Sequence, residues 1–163
     1  MTWFRRGHND GAASSSSTVA SGPPSRDQLI GELFTANRYI NQHSGHLPGA
    51  AVVLARTVTD QLRQILDTVE DPQLDVQAML FVEGTVRDYL PTTLKTYLAI
   101  DPSLAETARG SGETPTVSLL SQLTMLRTSA ARTLVAAREH DADTLMTQGN
   151  FLSTKFTRSD LDL

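Results

Sequence analysis

The chain has no cysteine, which excludes disulfides, zinc–thiolate sites, iron–sulfur clusters and cysteine nucleophiles together. Aromatic residues are scarce, at 6% of 163 positions, so a core has to be built from Leu, Val, Ile and Ala, as in helix bundles. Positive charge is short as well, with 14 Lys and Arg against 18 Asp and Glu. Nucleic-acid binders ordinarily carry the opposite balance, so no DNA or RNA partner is expected. Apolar runs stay far below the roughly 18 to 20 residues that cross a bilayer. Arg5-Arg6 leads into Gly-His-Asn-Asp-Gly instead of the apolar stretch of a secretory leader. The expectation is a cytoplasmic protein.

Recognisable chemistry is equally sparse. Glu-x-x-His, the signature of four-helix di-iron proteins, does not occur. Gly110-Ser111-Gly112 lacks the Gly-x-Ser-x-Gly spacing of a nucleophile elbow, and neither a phosphate-binding glycine–lysine loop nor a dinucleotide glycine pattern is present. His43 and His46 form a His-x-x-His pair, but a metal needs further ligands and none is identifiable. Glu83 stands inside an apolar run, where pairing with Arg87 at i+4 accounts for it. No catalytic, cofactor-binding or metal-binding residue is therefore assigned, and no cofactor is expected.

What the chain does have is helical periodicity behind a polar arm. Residues 1–24 open with Trp3, Phe4, Arg5 and Arg6 and continue as a Ser/Gly/Ala/Pro-rich run that cannot bury enough to offset its ordering entropy. This reads as a disordered N-terminal arm with an aromatic, basic docking tip, suited to weak peripheral contact with an anionic membrane or to a partner groove. Residues 25–163 read as one helical domain. A first helix starts at Ser25, with Gln28 completing a capping box, and a second runs from about Ala50 to Thr68 with Leu54, Val58, Leu62, Ile65 and Val69 as its stripe. Asp71-Pro72 suits the start of a third, whose run Ala78–Val82 is apolar on more than one face, as a central helix would be. Gly84 within it suggests a close helix crossing.

Pro91 follows, with no N–H for the carbonyl of Arg87 and a ring that crowds it, so the helix is expected to kink there, with Leu90 pushed toward extended geometry. Leu90, Leu94 and Leu98 keep one helical row, and Tyr89, Thr93 and Tyr97 another that should pack against neighbours. Asp88 and Lys95 can approach each other across the break. A short helical piece from Ser103 to Ala108, a loop, and a last helix from about Thr114 complete the fold. The stripe Leu145, Gly149, Leu152, Phe156 is out of step with Leu119, Leu120, Leu123, Leu126, Ala130, Leu134 and Ala137, so a break near Asp141 is expected. The fold class is all-α: an antiparallel bundle of four to five helices with a proline-kinked central helix.

Tyr89-Leu90-Pro91-Thr92-Thr93, then Lys95 and Tyr97, resembles the "YLPTT-K" segment of the XpaC family, bacterial proteins named for 5-bromo-4-chloroindolyl phosphate hydrolysis and often encoded beside TelA-type toxic-anion resistance proteins. Asp141–Leu145 and Gly149–Leu152 are similar in layout to that family's last helix pair. The resemblance spans roughly residues 74–158, and the chain also resembles small actinobacterial helical proteins of unknown role. The XpaC resemblance implies a helical protein that works with a TelA-type partner, and, through the family's name, phosphoester hydrolysis as the alternative. The residues themselves point to a non-catalytic interaction or scaffold protein, with a protein partner or a homo-oligomer.

Overall fold

In the computed structural model, residues 24–69, 75–110 and 112–159 are described. The arm with Trp3, Phe4, Arg5 and Arg6, and the Asp71-Pro72 cap, lie outside them. The fold is an all-α bundle of four helical rods. Helix α1 (Arg26–Gln42) begins as its sequence requires: Ser25 Oγ accepts from the Gln28 N–H at 3.2 Å, and Gln28 Oε1 accepts from the Ser25 N–H at 2.9 Å. Removing such a cap costs about 1 kcal/mol. Helix α2 (Gly49–Thr68) runs back antiparallel. Arg26 at the start of α1 meets Asp67 at the end of α2 at 2.9 Å, and Arg56 donates to Asn41 where the hairpin turns.

The third rod is composite: α3 (Val76–Gly84), a π turn (Thr85–Tyr89) and α4 (Leu90–Leu98) follow without interruption. It runs parallel to α1, with Arg87 beside Glu32 and the Leu94–Lys95 end beside Tyr39. A 3₁₀ turn (Pro102–Leu104), capped by Asp101 on the Ser103 N–H at 2.9 Å, leads to α5 (Pro115–Ser159). Helix α5 is antiparallel to α4, since Gln122 faces Thr93 and Thr116 faces Tyr97. The rods thus alternate in direction.

Helix α2 sits at the centre. It buries Ala51, Val52, Ala55, Val58, Leu62, Ile65 and Leu66 on several sides, and its widest contact is with α5. Its one buried hydroxyl, Thr59, lies 2.8 Å from both Asn37 Oδ1 and the Arg56 carbonyl, so its single proton always has an acceptor. Helix α3, expected at the centre, is peripheral: Ala78, Met79 and Val82 are buried but Val76 and Leu80 face water. Unbroken apolarity there marks a surface stripe, not a position touched on all sides.

Four further expectations change. The irregularity near Pro91 is a π turn, closed by the Leu90 N–H on the Thr85 carbonyl, and Leu90 stays helical at φ −67° and ψ −49°. A widened turn moves the carbonyls that the proline ring would strike in a regular helix, which removes the pressure toward extended geometry. Gly84 supports no helix crossing, because a Cβ there would meet only the Tyr89 ring, at 3.6 Å. The piece after Asp101-Pro102 ends after one 3₁₀ turn, short of the expected Ala108. Finally, α5 continues through Asp141 to Ser159. The side chains of the expected second stripe, Leu145, Gly149, Leu152 and Phe156, lie outside the described residues.

Candidate functional site

The Pro91 segment stands between two grooves. Its first row, Val86, Leu90 and Leu94, is buried against the core. Beside it runs a second row at the same spacing, Arg87, Pro91 and Lys95, which forms one wall of a groove with α1; Glu32, Thr35, Ala36 and Tyr39 form the other, and the space is about 270 Å³. One end of this groove is closed by charge. The Arg87 guanidinium bonds both Glu32 oxygens, at 2.8–2.9 Å, and also Glu83, its neighbour at i+4. Its hydrogen bonds to Glu32, outweighing desolvation, raise its already high pKa. Lys95 at the other end is exposed, and no ion pair among the described residues includes it.

The opposite side of α4 carries hydroxyls. Thr93 donates to Gln122 Oε1 at 3.3 Å, Tyr97 Oη lies 3.1 Å from Thr116 Oγ1, and Thr92 donates to Asp88 at 3.2 Å. With Thr96, Thr114 and Ser118 they line a second space of about 300 Å³ between α4 and α5. Asp88 is thus engaged by Thr92 and not by Lys95. Tyr97 packs partly against α5, but Tyr89, expected to be buried, is 60% exposed and rests on Gly84. Tyr89 faces solvent on the same rod as the exposed Val76 and Leu80.

His43 is occupied structurally: its Nδ1 is 2.9 Å from the Tyr39 carbonyl and its ring stacks on Tyr39 at 4.1 Å. Among the described residues no cluster of three or more metal-ligating side chains occurs, and no helix is long and apolar enough to cross a membrane. Sequence reading missed Glu32, Ala36, Tyr39, Thr116 and Gln122 as partners of the motif. All lie more than eighteen positions away, and nothing local marks them. Glu83–Arg87 was legible because it lies within one helical turn.

No family model matches the chain, and no curated protein and no solved structure matches it.

Proposed function

We propose that the chain is a non-catalytic interaction protein, a helical scaffold that binds a protein partner or a second copy of itself through the third rod. The observation that carries this reading is the exposure of Val76, Leu80 and Tyr89 on that rod. A single exposed apolar residue is ordinary, whereas three large ones along one rod favour an interaction surface.

On the XpaC-like reading the partner is a TelA-type protein and the setting is the cytoplasm, with the tip Trp3, Phe4, Arg5 and Arg6 adding a weak, reversible contact at the inner membrane face. Phosphoester hydrolysis is the competing reading; it requires a nucleophile, a base and an anion cradle in one place. The deciding experiment compares full-length protein with Leu80→Lys and Phe34→Lys, the latter a still more exposed apolar residue on α1. Leu80→Lys should abolish self-association or partner capture while Phe34→Lys leaves it intact. Equal behaviour of both variants, or metal-dependent release of nitrophenol from phosphate esters that is lost on His43→Ala or Glu83→Gln, would overturn the proposal.

A further inference from the structure

We infer that the groove between α1 and the Pro91 segment is a binding site for a single-headed anionic amphiphile, an alkyl or acyl chain of medium length ending in a carboxylate or phosphate. The inference does not depend on the interaction surface of α3, which lies outside this groove. Its accessible floor is apolar, made by Ala36 and Pro91 with Val86, Leu90 and Leu94 packed beneath them, and its space of about 270 Å³ opens to solvent along the seam between α1 and the third rod. Three features give the groove a fixed shape: Pro91 presents a ring in place of a flexible side chain, the π turn widens the rod beneath it, and the Glu32–Arg87 ion pair spans the helices at one end. Turns of π geometry inside helices are frequently found at functional sites.

The charges select the ligand's head and its direction. Arg87 is satisfied by Glu32 from α1 and by Glu83 from its own rod, so that end offers an anion two carboxylates against one guanidinium. Asp88 on the same rod is engaged by Thr92. Thr35 spends its hydroxyl proton on the Gly31 carbonyl, at 3.0 Å, and is not a free donor. Lys95 is the charge left over. The ligand's head therefore sits at Lys95 and its tail runs over Pro91 and Ala36 toward Arg87. Lys95 and Arg87 are just over two turns apart, about 12 Å, which suits a medium alkyl chain and leaves no room for a second charged head.

The test is calorimetric titration of the full-length protein with decanoate, decyl phosphate and decanol, each below its micelle-forming concentration, in the native protein, Lys95→Gln and Ala36→Leu. Decanoate or decyl phosphate should bind with one saturable site and more tightly than decanol, and whichever anion binds better identifies the head. Lys95→Gln should weaken the anions about fivefold, the worth of one exposed charge contact, and leave decanol unchanged. Ala36→Leu should fill the groove and weaken all three; if it fails to fold, the Lys95→Gln comparison, an exposed substitution, still decides. Absence of saturable binding by all three probes, or anion binding indifferent to Lys95→Gln, overturns the inference.

Discussion

Adjacent residues in the third rod should respond very differently to truncation. Leu90 is 0% exposed and lies on the buried row of Val86 and Leu94, whereas Tyr89 is 60% exposed and touches Gly84. Leu90→Ala removes a fully buried branched side chain from a floor that the proline ring cannot collapse into. Its cost should fall at about 3 to 4 kcal/mol. Tyr89→Ala removes a larger side chain, yet most of that side chain is already in water, so the cost should be about 1 kcal/mol or less. At roughly 3 °C per kcal/mol for a domain of this size, Leu90→Ala should melt about 10 °C lower and Tyr89→Ala within ~3 °C of the parent. Urea unfolding followed by circular dichroism at 222 nm gives both values, and an unchanged denaturant slope confirms that the native states compare. A Tyr89→Ala cost equal to or above that of Leu90→Ala would overturn this expectation. It would mean that residue 89 points inward and that the π turn does not set the register of this rod in solution.

Two further outcomes are expected. Burial raises the Asp67 pKa, but hydrogen bonds and charges from Arg63 and Arg26 outweigh it and hold the carboxyl below its ordinary value; a folded-state pKa that is depressed stabilises above the unfolded value, about 3.9, and the contribution is lost as pH falls through the folded one. Acid unfolding of Asp67→Asn should therefore be flatter over that window than acid unfolding of the parent, and identical slopes would remove the pair from the account. Deleting residues 1–24 should leave helical content and melting temperature unchanged while reducing capture by anionic vesicles at low salt, with Trp3 emission shifting blue in the full chain; if the full chain ignores such vesicles, the tip makes no membrane contact.

The helices α1 and α2 were legible because their signals are local: a capping box at Ser25 and Gln28, and apolar spacing that names Val58, Leu62, Ile65 and Val69 as buried. The beginning of α5 at Thr114, whose Oγ1 accepts from the Val117 N–H, was legible for the same reason. What failed were judgements about which side of a helix has company. The run Ala78–Val82 looked central because composition does not say where the neighbours lie, and Tyr89 looked buried because spacing alone does not say so. The groove, too, was invisible in one dimension, since it exists only where Glu32, Ala36 and Tyr39 come beside Arg87, Pro91 and Lys95.

The π turn had a signal that the proline overshadowed. Ala78, Val82, Val86, Leu90 and Leu94 are all buried, a single file with a strict period of four. A regular α-helix turns 3.6 residues at a time, so each step of four slips about 40° around the axis, and the file from Ala78 to Leu94 would wander by about 160°. Such a file cannot stay buried against one straight neighbour unless the rod takes up the surplus somewhere. The turn from Thr85 to Tyr89, closing five residues in place of four, does so at the middle of the file. Two residues mark the place. Thr85, fully buried, returns its hydroxyl to the Phe81 carbonyl at 2.8 Å, a bond that bends helices, and Pro91 denies the next turn its donor. On this argument the proline is the lock and the period of four is the cause, so a Pro91→Ala chain should keep the π turn for as long as Val82, Val86, Leu90 and Leu94 hold the same face.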